Sequence, residues 1–493
     1  MQEVVRLKPL EPITPPVPDD PRRRNAIKYM RWLIWAYFAL LIFEGTLRKW
    51  ILPQYSDVLL VVRDPVVLAI YLLAIRARMF PRNGYVLALG IIAILSWTVS
   101  LLVLEPYLSL QPLILVTGFG FRSNFLHLPL IFIIGEILDQ EDVLKLGKWI
   151  LIGLIPMSVL MALQFNSAPD AFINRGAGLG EVLQIASTGG KIRPPGTFSF
   201  VAGVVFYAAL SAAYLLYGAL TRGLYRNWLL FGAGLALVVA VGVSGSRSVI
   251  LAVVVVISSL LVIVVLQPRA VNQFGRNLLI AVAVVLIVTR LPVFKEGAQV
   301  LSDRFTETAE SEEKTIAAGL FDRMLSGFTE GLALLNHAPI GGYGLGVGTN
   351  GGAKFLTGRA MFLLTEGEWG RVILESGPIL GLAFLAWRTM LTIKLGFLSL
   401  RRLKWGQILP IMLYCAGFFG LLNGPFGQPT NLGFSVFICG LCLATAKPQA
   451  AGPPPTGSQS LNPARLVPRR SRYAERLHDP AAARRQSDDF VDR

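Results

Sequence analysis

Two arginines in short motifs have the residue type and setting to bind an anionic substrate. Arg193 stands in the segment Arg-Pro-Pro-Gly-Thr-Phe of residues 193–198, and Arg247 stands in Ser-Gly-Ser-Arg-Ser of residues 244–248. The planar guanidinium matches the oxygens of a phosphate group and can stabilise negative charge on a leaving group. The alternative is structural: Arg193 would cap a helix or pair with a carboxylate, and Arg247 would snorkel at a membrane boundary.

A histidine is the best candidate for a general base. Of the three histidines, His337 directly follows a segment with apolar residues at helical spacing, namely Phe321, Leu325, Phe328, Leu332 and Leu335. Pro339 and the glycines after it should end this helix near His337. A helix dipole favours the protonated imidazole at the C-terminus, which suits a base that takes a proton from a hydroxyl group. The alternative is a loop histidine that makes local hydrogen bonds.

Four charged residues open a later apolar stretch: Glu366, Glu368, Arg371 and Glu375. Glu368 and Arg371 are three residues apart, and Arg371 and Glu375 are four apart, so each pair should lie on one helix face. The spacing fits either a plain ladder of ion pairs or a surface that binds substrate.

Residues 341–352 read GGYGLGVGTNGG, and Gly346, Gly348 and Gly351 match the pattern G-x-G-x-x-G. A dinucleotide site needs this pattern between a strand and a helix, whereas here it follows an amphipathic helix. We therefore expect a flexible loop, which either approaches a ligand closely or only makes a tight turn. The sequence also lacks the usual zinc motifs and a P-loop, and its outer loops lack an Asp-x-Asp cluster, so we predict no metal and no cofactor.

The composition identifies the elements that must position these residues. Hydrophobic residues make up 54% of the 493 residues, charged residues 15%, and the mean hydropathy is +0.58. A soluble domain carries about 25% charged residues, so the composition excludes a disordered chain and disfavours an ordinary soluble enzyme. About twelve stretches are long enough to cross a bilayer, which predicts an all-α polytopic membrane protein with helices near 29–45, 58–75, 84–104, 112–137, 147–164, 198–219, 227–243, 248–266, 277–290, 369–392, 407–422 and 430–446.

The distribution of basic residues predicts the orientation. The net charge is +16, and Lys and Arg concentrate in alternate short loops, as expected for cytoplasmic loops rather than for nucleic-acid binding. Both termini should then be cytoplasmic, in Pro-rich disordered tails of residues 1–28 and 447–493 that flank a membrane domain of residues 29–446. One large periplasmic loop, about residues 291–368, carries the amphipathic helix.

Three more cations are candidates for substrate binding. Arg48 and Lys49 fall in a predicted outer loop, where the sorting of charge across the membrane does not explain them. Arg63 falls inside an apolar stretch, where a charge is costly and often functional. It precedes Asp64, so a self-neutralised pair is the alternative.

Four motifs in this order resemble the O-antigen ligase and polysaccharide polymerase family. They are Arg-Pro-Pro-Gly-Thr-Phe (193–198), Ser-Gly-Ser-Arg-Ser (244–248), Asn-His-Ala-Pro-Ile-Gly-Gly-Tyr-Gly-Leu-Gly (336–346) and Glu-Ser-Gly (375–377). The resemblance covers roughly residues 190–446. The segment Glu-Gly-Thr-Leu-Arg-Lys-Trp of residues 44–50 lies outside the pattern.

The resemblance implies a metal-independent, inverting glycosyltransferase of the bacterial inner membrane. It would take a glycan from a polyprenyl-pyrophosphate carrier and pass it to an acceptor hydroxyl at the periplasmic face. Arg193 and Arg247 would bind the pyrophosphate, His337 would be the base, and Glu366, Glu368 and Arg371 would shape the acceptor side. A polysaccharide polymerase is favoured over an O-antigen ligase or a protein O-glycosylase.

Two other classes of function stay open. A flippase for lipid-linked glycans would place charges near the bilayer midplane and often shows inverted repeats, which the sequence lacks. A non-catalytic assembly partner would bind polysaccharide or other polysaccharide assembly proteins. In every case membrane lipids are partners.

Overall fold

The computed structural model describes residues 21–178, 191–266, 326–359 and 361–447, which are mostly helical and contain no strand. The chain divides into two units, Met1–Ala446 and Lys447–Arg493, and the helices described below all belong to the first. The predicted helix 277–290, residues 291–325 of the predicted loop, and the tail segments 1–20 and 448–493 lie outside the described residues. The prediction of an all-α chain is confirmed for the described part.

The helices follow one another along the chain as α1 (Pro21–Thr46), α2 (Ser56–Leu59), α3 (Asp64–Arg76), α4 (Gly84–Leu104), α5 (Leu110–Phe121), α6 (Leu130–Ile137), α7 (Gln140–Asn166), α8 (Val201–Leu220), α9 (Asn227–Val243), α10 (Arg247–Leu266), α11 (326–333), α12 (Asn350–Thr357), α13 (Glu368–Lys404), α14 (Leu409–Asn423) and α15 (Pro429–Thr445). Within the described ranges, eight helical segments are long and apolar enough to cross a membrane, and α9, α14 and α15 are shorter apolar helices. This is a multi-pass membrane protein.

The first helix begins earlier than the composition of the chain predicts. α1 starts at Pro21, so residues 21–28 are helical and not part of a disordered tail. Proline is favoured in the first turn of a helix because its fixed φ suits the helix and its missing N–H would have no partner there. The arginines that follow are good helix formers and stay exposed.

The predicted helix 369–392 is a helix that folds back on itself. In a continuous helix, residues 368 and 388 would lie about 30 Å apart, yet Nη1 of Arg388 is 2.7 Å from Oε1 of Glu368. The reversal is at Gly377, whose φ of 75° favours glycine, and Pro378 follows it. α13 therefore has a short arm (368–376) and a long arm (378–404), and the motif Glu-Ser-Gly forms the bend.

The predicted interruption near Arg122 is a π-helical turn, Arg122–Leu126, between α5 and α6. Such turns insert an extra residue, which re-aims side chains, and they are frequent at functional sites. Here the turn directs Arg122 and Asn124 into the interior of the bundle, where both are buried.

Contacts between distant segments define two ends of the bundle. Arg31, near the start of α1, pairs with Asp139, which caps the start of α7. At the other end, Lys49 follows α1 and contacts Gly196, which precedes α8. The alternation of loops is therefore as predicted for these helices, while the side of the membrane that each end faces stays a prediction.

Candidate functional site

The three predicted catalytic residues lie at the ends of helices or just outside them. Arg247 is the first residue of α10 and Arg193 precedes α8, and both are half-buried. His337 is exposed and directly follows the 3-10 turn Leu334–Asn336 that ends the amphipathic helix α11, as predicted. Phe321 and Leu325 of that helix lie outside the described residues. Glu366 is also exposed, unlike its neighbour Glu368.

The predicted cations Arg48 and Arg63 share Glu44, and together with the buried Lys49, which follows Arg48 in the sequence, they make up a group that we call the cationic cluster. Oε1 of Glu44 is 3.4 Å from Nη1 of Arg48, and Oε2 is 3.2 Å from Nε of Arg63. Glu44, Lys49 and Arg63 are each at most 3% exposed, and Arg48 is 8% exposed. The cluster thus holds three cations and one carboxylate away from solvent.

The cationic cluster packs directly on the motif segment 193–198. Lys49 donates from Nζ to the carbonyl oxygen of Gly196 at 2.6 Å, and Arg48 donates to Oγ of Ser199 at 3.1 Å. The hydroxyl of Thr197 donates to the carbonyl oxygen of Ile42 at 2.9 Å. Gly45 makes the approach possible, because a Cβ there would overlap the backbone of Phe198. Segments separated by about 150 residues therefore form one structural unit.

A second buried group is the ion-pair quartet of Glu368, Arg371, Glu375 and Arg388. Nε of Arg371 is 2.9 Å from Oε2 of Glu368, Nη1 of Arg371 contacts Glu375, and Arg388 completes the group through Glu368. The two pairs predicted from helical spacing are thus present, and Arg388 is an addition that the fold-back of α13 brings in. The two cations and two carboxylates balance each other.

The quartet holds the glycine-rich segment in place. Oε1 of Glu375 accepts a hydrogen bond from the N–H of Gly348 at 2.9 Å, and its carbonyl oxygen accepts one from Gly344 at 3.0 Å. The N–H of Leu345 donates to Oγ of Ser100 in α4 at 2.9 Å. Residues 341–349 of the segment form a loop, and residues 350–352 are the first turn of α12, which Thr349 caps.

Arg63 and Asp64 do not neutralise each other, contrary to the alternative raised above. Asp64 pairs instead with Nε of Arg122 at 2.6 Å and with Nε2 of His127 at 2.9 Å. The reason is helical geometry, because adjacent residues point to different faces. Arg63 faces Glu44, and Asp64 faces the π-helical turn.

His127 belongs to a hydrogen-bonded chain, Asp64–His127–Tyr37, that the sequence did not reveal. Since the carboxylate of Asp64 accepts from Nε2, Nδ1 of His127 is left to accept from the hydroxyl of Tyr37, at 3.0 Å. The ring of Tyr37 lies under the guanidinium of Arg63, at 5.5 Å. The chain thus connects Asp64 with the cationic cluster. The available signal was a histidine and an arginine within an interrupted apolar stretch.

The cationic cluster and the quartet both contact the segment of residues 424–429, which joins α14 to the start of α15. Nη2 of Arg63 donates to the carbonyl oxygen of Pro429 at 2.6 Å. In the quartet, Nη2 of Arg388 donates to the carbonyl oxygen of Gly424 at 2.9 Å, and Oε1 of Glu368 accepts from the N–H of Phe426 at 3.2 Å. Polar groups from distant helices therefore converge around this segment.

The two groups differ in what they can bind. The cationic cluster can bind an anion, whereas the carboxylates of the quartet are already engaged by guanidinium groups. Within the described ranges, His, Cys, Asp and Glu side chains form no group of three that could hold a metal ion.

Two comparisons with known proteins, one with models of protein families and one with curated sequences, find no match.

Proposed function

We propose that this protein is a membrane glycosyltransferase that acts on a glycan linked to a polyprenyl pyrophosphate. It transfers or polymerises the glycan onto an acceptor hydroxyl at the periplasmic face of the bacterial inner membrane, without a metal. Both termini are cytoplasmic in this proposal. The product is a cell-surface or secreted polysaccharide.

One observation carries the proposal: buried cations are bound to the segment that contains Arg193. Lys49 and Arg48 contact residues 196–199, so positive charge accumulates where the family resemblance implies a pyrophosphate. Fixed positive charge that faces a leaving pyrophosphate stabilises the transition state, and one such donor is worth about 10²–10³ in rate. Arg193 and Arg247 would contact the pyrophosphate from helix ends.

The remaining residues are assigned by exposure and pairing. His337 is exposed and has the chemistry of a base for the acceptor hydroxyl, and Glu366 lies on an exposed stretch suited to an acceptor. Glu368, Arg371 and Glu375 support the glycine-rich segment through the contacts given above. Their effect on the substrate is therefore indirect.

The test is a strain that lacks this protein and re-expresses either wild type, Arg247→Ala or His337→Ala. Lipid-linked oligosaccharides are sized by mass spectrometry and polysaccharide is sized on a gel. Single repeat units that accumulate on the carrier, with long chains missing, support a polymerase. Full-length chains that stay on the carrier indicate a ligase instead. Wild-type product from both variants would refute these site assignments.

A flippase for lipid-linked glycans is the second candidate, and one observation favours it. Asp64, Arg122 and His127 lie within apolar helical segments, where transporters hold the charges that bind substrate. The two functions differ in the membrane leaflet where single repeat units accumulate when the protein is missing. Single repeat units confined to the cytoplasmic leaflet in the deletion strain would support the flippase, and units in the outer leaflet would support the transferase.

A further inference from the structure

The helix that precedes His337 packs on the short arm of α13. The rings of Phe328 in α11 and Trp369 in the short arm meet edge to face, with their centroids 4.7 Å apart. Closer to His337, a Cβ at Gly370 would overlap the side chain of Leu334, so this part of the helix lies directly against the arm. The chain is therefore held to the short arm just before His337.

After His337 the chain returns to the same arm. The N–H of Tyr343 donates to the carbonyl oxygen of Leu374 at 2.7 Å, and the N–H of Gly344 donates to the carbonyl oxygen of Glu375 at 3.0 Å. Both acceptors belong to the last turn of the short arm, whereas the contacts before His337 belong to its first turn. The short arm therefore fixes the backbone on both sides of His337.

The turn that directly follows His337 lies against the bend of α13. The N–H of Gly342 donates to the carbonyl oxygen of Pro339 at 2.9 Å, which closes the turn. A Cβ at Gly377 would overlap the carbonyl oxygen of Ile340, so the bend and the turn touch backbone to backbone. The ring of Pro339 fixes its own φ, which stiffens this short connection. A change at the bend should therefore move the turn and, with it, His337.

The quartet holds the short arm to the rest of the bundle. Arg388 of the long arm pairs with Glu368 at the start of the short arm. In the middle of the short arm, Nη2 of Arg371 donates to Oδ1 of Asn124 in the π-helical turn at 2.8 Å. These four residues are at most 4% exposed, so water does not compete for their contacts. The exposed His337 is thus connected to a rigid, buried support.

We infer that the short arm of α13 sets the position of His337, and that Gly377 at its bend is a positioning residue for the reaction. The inference rests on the proposed function in one respect, the role of His337 as the base. A base has to lie within hydrogen-bond reach of the hydroxyl whose proton it takes. A displacement of about 1 Å can cost about 10² in rate. The fold-back of α13 provides this precision for a histidine that is itself exposed.

Two glycines give a matched pair of variants, Gly377→Ala and Gly358→Ala. Their φ angles are 75° and 76°, so alanine strains both backbones alike. A Cβ at Gly358 meets nothing within 4 Å, whereas a Cβ at Gly377 overlaps Ile340. The pair therefore separates displacement of the turn from backbone strain. If Gly377→Ala does not fold, Gly342→Ala replaces it, because a Cβ there overlaps the backbone of Glu375 at the same interface.

The first measurement is amide hydrogen exchange in residues 337–348 of the purified, detergent-solubilised full-length protein. We expect slow exchange in wild type, because N–H groups of this loop donate to buried acceptors. Gly377→Ala should speed the exchange at least about tenfold, since it opens the contact with the short arm. Gly358→Ala should exchange as wild type does in these residues. This measurement does not depend on the proposed function.

The second measurement is the initial rate of glycan transfer per amount of folded protein. It uses membranes that contain each variant and lipid-linked oligosaccharide extracted from the strain that lacks this protein. We expect Gly377→Ala to lower the rate about 10²-fold and Gly358→Ala to leave it unchanged. In the His337→Ala background, Gly377→Ala should add little further loss, because it acts through the residue already removed. A merely structural effect would lower the rate equally in both backgrounds.

Three results would overturn the inference. They are fast exchange of residues 337–348 in wild type, equal transfer rates in Gly377→Ala and Gly358→Ala, and equal losses from Gly377→Ala with and without His337. Failure of the proposed function gives a different pattern. His337→Ala would then transfer glycan at the wild-type rate, or wild type would transfer none, while the exchange of residues 337–348 still responds to Gly377→Ala and not to Gly358→Ala.

Discussion

The cationic cluster and the ion-pair quartet both contact residues 424–429 and are both buried, but they differ in charge balance. In the quartet, every carboxylate contacts a guanidinium and the net charge is zero. In the cationic cluster, Arg48 and Arg63 share Glu44, Lys49 donates to a backbone carbonyl oxygen, and Nη1 of Arg63 has no acceptor in the described part of the chain. Burial alone therefore does not distinguish a structural ion pair from a binding site, and we propose that the balance of charge does.

The largest expected effect on stability is in the quartet. Arg388→Met leaves Glu368 and Glu375 with Arg371 alone, and an uncompensated buried charge costs about 3–5 kcal/mol. Thermal unfolding of the solubilised protein measures this loss. The double variant Glu368→Gln/Arg388→Met restores neutrality and should recover part of it. An Arg388→Met protein as stable as wild type would remove the contrast between the two regions.

Arg63→Met tests the cationic cluster, and here we expect the larger effect on product yield rather than on stability. We expect a smaller loss of stability than in Arg388→Met, because removal of Arg63 lowers the excess positive charge. Product should nevertheless fall about 10²–10³-fold, as for the loss of a donor to transition-state charge. Polysaccharide yield and unfolding temperature are measured on the same variant. A severe loss of stability with normal product would mean that this region is structural.

Gly433→Ala separates the position of Arg63 from its charge. A Cβ at residue 433 would overlap Nη1 of Arg63, so the guanidinium must move while every charge is kept. We expect product to fall by about tenfold, the effect of one misplaced hydrogen bond from a charged group. Gly118→Ala is the control, because a Cβ there meets nothing within 4 Å. Equal yields from both variants would contradict a positional role.

The smallest effect is expected at Tyr37. Tyr37→Phe removes the hydroxyl that donates to His127 and should cost about 1 kcal/mol of stability. Tyr71→Phe is a matched control, because it loses a hydrogen bond to the carbonyl oxygen of Leu126 without touching Arg63. If the chain from Asp64 orients Arg63, product falls several-fold in Tyr37→Phe and not in Tyr71→Phe. Equal losses of product in both variants would mean that Tyr37 contributes only to packing.

Local signals explain what the sequence could predict. The bounds 84–104 and 227–243 agree with α4 and α9, because a long apolar run defines each helix and Asn83 caps α4 through Val86. The pairs of Arg371 with Glu368 and Glu375 follow from helical spacing within one element. The end of the amphipathic helix before His337 follows from Pro339.

What the sequence could not predict depends on tertiary packing. The reversal at Gly377 is hidden because an apolar run with a Gly-Pro step also fits a kinked helix. The partners of Arg63, Asp64 and Arg388 are chosen by neighbouring helices, and His127 gains its role only when Asp64 and Tyr37 meet it. The contact of segment 44–50 with segment 193–198 joins residues that no periodicity connects.

The measurement that tests the central claim most directly compares Arg63→Met with Lys145→Met, which removes one positive charge from an exposed side chain of α7, in the strain that lacks this protein. Folded protein in the membrane is quantified first, and lipid-linked oligosaccharides and polysaccharide are then sized. The account predicts that Lys145→Met restores long chains, whereas Arg63→Met is present in the membrane but leaves glycan on its carrier. Long chains from Arg63→Met at wild-type levels would contradict the claim that excess buried charge marks the substrate site.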